Sequence, residues 1–486
     1  MPPLPLHLIV IDGLHPGLLR AELAAGRLPA FGRLVRAGTL HDAISTFPTV
    51  TPSALASIAT GLPPSGHGIQ GIMWFDRRED RYVHYWPSPQ SVLAGTFGQV
   101  MRDILHNLND SHLEPSAPTL FEILEGAGIP SAAVNFPIFR GPYLHHGQVP
   151  LALALLAGLP VGITVRGPRH LLVGDILRPL ISIPRGPLGR YGISDERAIR
   201  YTRRLVTAGK ASFFLTYLPD NDLRSHHHGP AQNAESLHLL DRLLGSLLDA
   251  YGSWDEAVTR ARWLVVGDHA QTLVGGVEGY SVNVYKEFRS ARILPFGKSG
   301  LGSGQYDLAM AANDRSALIY LARPAARDGV LAELASWPSV DRIMGRDGDG
   351  WFWASDARGE RQLRFRRGGP WRDERGDSWE LSGSPAVLDL RESGMRLVEG
   401  RYPDPLFRIA GALSRADLAV TAEPGFEFTT GFKLGHGNHG SLAAGDSITA
   451  LIEVGVEVPA RPRILDVLPA ISRAFGLGAG HALPRG

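Results

Sequence analysis

The stretch LHLIVIDG, Leu6–Gly13, decides how the rest of the chain is read. An apolar run opens it, without polar alternation, and Asp12-Gly13 closes it. A strand with one face in water alternates; a parallel strand covered on both faces does not. Leu6–Ile11 is therefore expected to be a buried parallel strand, with Asp12 at its carboxyl end.

Working outward, helices are expected near Ala30–Ala37, at Ser53–Thr60 (ended by Gly61) and at Thr119–Glu125. A strand is expected at Ser131–Phe136. Then come a helix at Ala198–Ala208, a strand at Ala211–Leu218 and a long amphipathic helix at Ala231–Ala250. A strand at Trp263–Val266 runs into Gly267-Asp268-His269. Alternating strands and helices predict an α/β sandwich, a mainly parallel central sheet flanked by helices. After about Leu273 the chain becomes richer in Gly, Arg and Trp, with short runs at Ser316–Leu321, Trp351–Ala354 and Gln362–Phe365. The core pattern returns with a strand at Ile448–Val454 and a helix at Ile464–Phe475. The expected division is a catalytic core of residues 1–275 and 430–486 and an inserted α+β cap of residues 276–429. No internal repeat or low-complexity tract is visible. The arginine-rich run Arg358–Arg375 reads as a solvated hairpin rather than a binding patch.

Composition removes several function classes. A formal charge of +1 over 486 residues does not suit a protein that binds nucleic acid by neutralising phosphates. Only Lys210, Lys286, Lys298 and Lys433 are lysines among the 49 basic residues. That bias reflects coding composition more than function. With no cysteine, disulfides, zinc–thiolate sites and cysteine nucleophiles are excluded, so any metal must be held by His, carboxylate and hydroxyl groups. The start, MPPLPLHLIVIDG, lacks the basic flank and small-residue cleavage site of a signal peptide, and a cytoplasmic location is expected. No run of about 20 apolar residues predicts a membrane span. Val149–Val165, VPLALALLAGLPVGITV, is strongly apolar but broken by Gly158, Pro160 and Gly162. It reads first as a buried hairpin or capping element and second as a surface touching lipid or an apolar substrate tail.

Five short motifs stand out, most of them where strands end, which is where open α/β sheets bind ligands. Asp12 closes the first strand and is either a helix cap or a site residue. Thr51, in Thr49-Val50-Thr51-Pro52-Ser53, stands at a helix start. It is either an N-cap, with Pro52 at the first helical position, or a hydroxyl placed where a helix N-terminus favours an alkoxide and a phosphate. In Tyr217–Pro230, YLPDNDLRSHHHGP, Asp222 and His226 lie four apart and on a helical turn can chelate one cation. Asp220 and His226 make a less natural chelate, and His227 and His228 point elsewhere. Asp268-His269 forms the fourth motif. The fifth, LGHGNHGSL at Leu434–Leu442, offers His436 and His439 for one role.

Their order and spacing resemble the alkaline phosphatase superfamily, and within it the type I phosphodiesterase/nucleotide pyrophosphatase family. FPTVTPSALASIATGLPPSGHGI, Phe47–Ile69, resembles that family's nucleophile segment, and DLRSHHHGP, Asp222–Pro230, its second metal segment. The resemblance covers about residues 6–275 and 430–475. It implies two divalent ions, zinc first, with manganese and iron as alternatives. Asp222, His226 and His439 would hold one; Asp12, Thr51, Asp268 and His269 the other. His436 stays second to His439. Thr51 would be the nucleophile, forming a phosphothreonine intermediate that water then hydrolyses. The expected substrate is a small phosphate ester, first a phosphodiester or pyrophosphate. A monoester or phosphonoacetate-type substrate is the alternative within the superfamily. A metal-binding scaffold without activity is the alternative from another class. Sulfatase and alkaline phosphatase nucleophile contexts are absent around Thr51-Pro52-Ser53-Ala54-Leu55. Two departures from the family concern substrate. Gln70–Trp74, QGIMW, lacks the family's phosphate-binding Asn, for which Asn135 is a candidate substitute. Pro52 stands where the family carries an aromatic nucleotide clamp, and Trp74 is a candidate pocket-lining ring. Oligomeric state is not readable from these motifs.

Overall fold

Leu6–Ile11 is strand β1 and all six of its residues are buried. The structure is a computed structural model that describes residues 3–177, 192–431 and 435–478. Leu434, the first residue of the LGHGNHGSL run, lies outside them. Around β1 stand β2 (Thr39–Ile44), β3 (Ser131–Val134), β4 (His170–Leu172), β5 (Phe213–Leu218), β6 (Arg262–Gly267) and β7 (Ile448–Val454). They form one seven-stranded sheet in the order β2-β7-β6-β1-β5-β3-β4. Strand β7 runs antiparallel to β6 and β2, and the other pairings are parallel.

The apolar run of β1 is explained by what covers it. Leu6, Leu8 and Val10 point into one cluster with Phe47, Leu55 and Ile58. Ile9 and Ile11 point into another with Tyr201, Leu205, Leu240 and Leu244. The second cluster is built by the helices Asp195–Thr207 and Ala234–Leu248. A strand buried on both faces cannot carry a polar stripe, and each such aliphatic side chain contributes about 1.5–3 kcal/mol through burial.

The register of β1 places the site. Ile11 pairs with Leu218 on one side and Gly267 on the other. The residues after these three strands, Asp12, Pro219 and Asp268, therefore emerge side by side at one edge of the sheet.

The chain after β6 builds a nine-stranded sheet. Its strands Leu308–Asn313, Ser316–Leu321, Leu418–Ala422, Val340–Arg346, Phe352–Asp356 and Gln362–Arg372 are successively antiparallel. Ile319, Trp353 and Val420 from this sheet belong to the same apolar cluster as Leu6, Leu8 and Val10. The inserted sheet thus shares a continuous core with the central sheet. Within the arginine-rich run, Gln362–Arg372 forms a hairpin with Ser378–Gly383. Arg364 and Arg366 lie over the Trp351 ring at 5.1 and 4.7 Å.

The apolar stretch Val149–Val165 is not a buried hairpin throughout. The strands Tyr143–Gln148 and Gly162–Gly167 form a ribbon, and the helix Leu151–Ala157 links them. Leu151, Leu155 and Leu156 on that helix are 64, 75 and 64% exposed. No helix of the described residues is long and apolar enough to cross a membrane.

Candidate metal centre

Helix α1, Thr51–Thr60, begins at the predicted hydroxyl, but the capping expectation is corrected. Val50 holds the N-cap position and no side chain caps the helix. The neighbouring Thr49 hydroxyl is committed to the carbonyls of Thr46 and Ser441 at 3.0 and 2.7 Å. The Thr51 hydroxyl instead faces the sheet edge, 3.4 Å from Asp12 Oδ1 and 3.1 Å from His269 Nε2.

Helix α2, Asp220–His228, carries the histidine run. Its periodicity puts Asp222 and His226 on one face, with Oδ2 and Nε2 3.2 Å apart. His226 is buried, whereas His227 and His228 are exposed. Asp220 turns away, its carboxylate accepting the Asp195 N–H at 3.1 Å. In the late loop His439 is buried beside Asp222, Nε2 to Oδ1 3.8 Å, and its ring stacks on His269 with centroids 3.8 Å apart. His436 is exposed, and its backbone N–H donates to the His226 carbonyl at 2.8 Å. The structure therefore favours His439 over His436.

The seven predicted metal-site residues, Asp12, Thr51, Asp222, His226, Asp268, His269 and His439, come together in one place. Ligand atoms of Asp222, His269 and His439 all lie within 4.8 Å of one another, as do those of Asp12, Asp268 and His269. His269 stands in both groups, and His226 reaches the first through Asp222.

The histidine tautomers follow from their partners. Nδ1 of His226 faces the Gly437 carbonyl at 2.7 Å, Nδ1 of His439 the Thr49 carbonyl at 2.8 Å, and Nδ1 of His269 the Ala270 carbonyl at 3.1 Å. A carbonyl oxygen only accepts, so in each ring Nδ1 donates and Nε2 is the nitrogen turned to the site. This is the arrangement metal-ligating histidines adopt.

The electrostatics show why the site fits cations. Burial, and then the charges of Asp268 and Asp222, push the Asp12 carboxyl well above its usual range. Burial likewise raises Asp268. Burial alone would raise Asp222 too, but His226, His439 and His269 outweigh it and hold it low. Burial would lower His226, yet Asp222 reverses this and carries it to about 9. His439, buried and beside His269, is held well below its ordinary value. Asp268 Oδ2 is buried with no hydrogen-bond partner. Crowded carboxylates with an unpartnered oxygen, opposite three Nε2 atoms, form a donor set whose crowding a divalent cation would relieve, and it needs no thiolate.

Close approach depends on glycine here. Gly13 has φ +66°, and a Cβ on it would lie 2.9 Å from Asp222 Oδ1. Its N–H donates to Asp268 Oδ1 at 3.1 Å.

Several neighbours escaped the sequence reading. The Tyr217 hydroxyl donates to Asp12 Oδ2. Gln271 donates its amide to the Asp222 carboxylate. Asn221 donates to the carbonyls of Asp12 and Gly13 at 2.9 and 3.0 Å. Asp314, in a tight turn of the inserted sheet, has its carboxyl pushed up to about 7 by burial, with Glu427 and Asp222 adding to the effect against His226. Tyr217 lies in an apolar strand and Asp314 in a turn beyond the quoted motifs, so neither carried a local signal.

Two substrate-site expectations are corrected. Trp74 is fully buried, edge-on to His112 at 5.6 Å and beneath Arg415 at 5.3 Å, so its ring offers no surface to a substrate. Asn135 is also buried. Its amide oxygen accepts the Gly174 N–H at 3.1 Å and its Nδ2 donates to the Ser194 carbonyl at 3.5 Å. Its side chain thus links the turn after β4 to the N-cap of the helix Asp195–Thr207.

Residues 6–336 match the family model described as type I phosphodiesterase / nucleotide pyrophosphatase. Among solved structures, murine ectonucleotide pyrophosphatase/phosphodiesterase 5 aligns over 99% of this chain and 97% of its own, with a TM-score of 0.59 and 14% identity. The human protein of the same name aligns over 99% of this chain and 96% of its own, at TM-score 0.59 and 15% identity. An inactive form of the murine protein, in complex with AMP, aligns over 99% and 97% at TM-score 0.59 and 13% identity.

Proposed function

The chain belongs to the type I phosphodiesterase/nucleotide pyrophosphatase family and is a phosphate-ester hydrolase, and we propose that it works through two divalent ions and a Thr51 nucleophile. Asp222, His226 and His439 hold one ion; Asp12, Thr51, Asp268 and His269 hold the other. Zinc is the ion the donor set suits best. The observation that carries this reading is the common orientation of His226, His269 and His439, each with Nδ1 tied to a backbone carbonyl and Nε2 turned to the carboxylates.

When bound, such ions supply charge neutralisation at the phosphoryl oxygens and make a coordinated hydroxyl more acidic. The chain's own residues do the rest. Thr51 Oγ1 gives up its proton to solvent and attacks phosphorus while the ester oxygen opposite leaves and takes up a proton from solvent, giving a phosphothreonine that keeps the second ester group of a diester. Water then breaks that bond, releasing the phosphate product and restoring the hydroxyl. Placement at the start of α1 favours the developing negative charge on Oγ1 and the phosphoryl group. Asp12 is held for its task by the Tyr217 hydroxyl. Asn221 fixes the Asp12–Gly13 backbone.

The substrate is a small phosphodiester or pyrophosphate. A nucleotide ester is one candidate, because the murine neighbour was solved in complex with AMP. Pro52 follows Thr51 here, so no ring at that position stacks on a base. The test is metal analysis of the purified protein with turnover of para-nitrophenyl mono- and diesters. About two ions per chain and diester preference are expected. Monoester preference shifts the reading to a phosphomonoesterase. No turnover with any divalent metal leaves a metal-binding scaffold.

A further inference from the structure

The turn joining the inserted strands Leu308–Asn313 and Ser316–Leu321 lies directly on the His439 loop. The Arg315 N–H donates to the His439 carbonyl at 2.8 Å. Gly440 has φ +114°, and a Cβ there would lie 2.3 Å from the Asn313 carbonyl oxygen and 2.8 Å from the Arg315 nitrogen. Only glycine lets the two backbones meet so closely.

The Arg315 side chain continues the contact inward. Its Nη1 donates to Asp446 Oδ1 and Oδ2 at 2.9 and 3.0 Å, and the two side chains are 3 and 0% exposed. Its Nε donates to the Phe426 carbonyl at 3.1 Å and its Nη2 to the Glu423 carbonyl at 3.2 Å. Asp446 uses its remaining capacity on both catalytic segments. Oδ2 accepts the Ser441 N–H at 2.8 Å, two residues beyond His439. Oδ1 accepts the Thr272 hydroxyl at 2.7 Å, and the Asp446 carbonyl accepts the Ala270 N–H at 2.9 Å, one residue beyond His269.

We propose that Arg315 and Asp446 are a positioning pair that sets His439 and His269 relative to each other, so that the inserted sheet is part of the apparatus that holds the metals. This rests on the reading of both histidines as ligands. Their rings stack at 3.8 Å, and each is bonded through its own segment to the one ion pair. A buried ion pair is weak evidence for stability but a means of fixing geometry. Arginine is required because a planar fork serves a carboxylate and two carbonyls at once, which a lysine ammonium cannot do from one position.

The experiment compares the double variant Arg315→Gln/Asp446→Asn, the single variant Arg315→Lys and His439→Ala. The double variant removes both charges together and leaves no lone buried ion. Thermal melting and circular dichroism establish folding. Zn2+ affinity is read by competition with a chromophoric chelator, and kcat and KM on bis(p-nitrophenyl) phosphate. The double variant is expected to fold but to bind Zn2+ about 10–100-fold more weakly, with a similar loss in kcat. KM should stay within about twofold, with Arg315→Lys intermediate. A shifted melting temperature with Zn2+ affinity and kcat within about twofold of the parent overturns the proposal, since it is what a merely structural pair gives. If the double variant does not fold, Arg315→Lys is judged by the same criteria. If His439→Ala retains full Zn2+ affinity, the ligand assignment itself falls. If His439→Ala loses the metal and the double variant does not, only the positioning role falls.

Discussion

Asp222 and His226 meet across one turn of a helix, Oδ2 to Nε2 3.2 Å, while the next two histidines face solvent. The four-residue spacing selects one histidine of three. His226→Ala is therefore expected to weaken metal binding and diester turnover by more than about 100-fold, beyond the range of outer partners. His227→Ala and His228→Ala are surface changes and should stay within about twofold. Bound metal and initial rate are measured for each. Loss of metal from the His228 variant, with the His226 variant intact, would show that the register is wrong.

Thr51 opens a helix without capping it, so its hydroxyl contributes little to folding. Thr51→Ala should leave stability within about 0.5 kcal/mol of the parent. It should lower kcat by about a thousandfold or more, on the scale of nucleophile deletions. The check is a chemical denaturation curve beside a rate. Near-normal turnover would mean that water attacks phosphorus directly and that no phosphothreonine forms.

Gly13 gives Asp222 its place. Its left-handed φ and the 2.9 Å approach of a would-be Cβ to Asp222 Oδ1 make Gly13→Ala doubly unfavourable. The backbone strain alone costs about 1–2 kcal/mol. Displacement of Asp222 should also weaken metal binding. Calorimetric titration of the variant with Zn2+ reads the second effect separately from the first. An unchanged affinity would show that Asp222 tolerates the intrusion.

His7 couples stability to acid. Its ring is buried between Phe214 and Trp263, with centroid separations of 4.8 and 4.2 Å. Nε2 lies 2.6 Å from the Tyr251 hydroxyl. Burial lowers its pKa from 6.5 to about 3. Between these values the unfolded chain binds a proton that the folded chain does not. Stability from His7 is complete above pH 6.5 and is lost as pH falls towards 3, by about 1.4 kcal/mol per pH unit. His7→Phe should flatten the fall in stability between pH 6 and 4 by about one proton relative to the parent. Equal slopes in the two proteins would place the acid sensitivity elsewhere.

By itself, the sequence determined the layer architecture and, through its family resemblance, named most of the candidate ligands. Leu6–Ile11 announced a strand covered on both faces, because apolar periodicity is a local consequence of which faces are buried. Asp12, Asp268 and the Asp222–His226 pair stood out as candidates because strand ends and helical spacing are local too, and the family resemblance gave them their ligand roles. Only the tertiary structure decided what those residues face. The β1 register lines up three strand ends, and two distant carbonyls, those of Gly437 and Thr49, orient His226 and His439, while His269 uses the carbonyl of its neighbour Ala270. Trp74 was drawn into packing, and Asn135 into bonds with a turn and a helix N-cap, that no short motif records. Tyr217, 205 residues from Asp12, and Arg315, 131 residues from Asp446, bond partners that only the folded chain brings near. A side chain's spacing along the chain fixes its immediate neighbours on an element. The partner at the end of its hydrogen bond depends on how the elements pack.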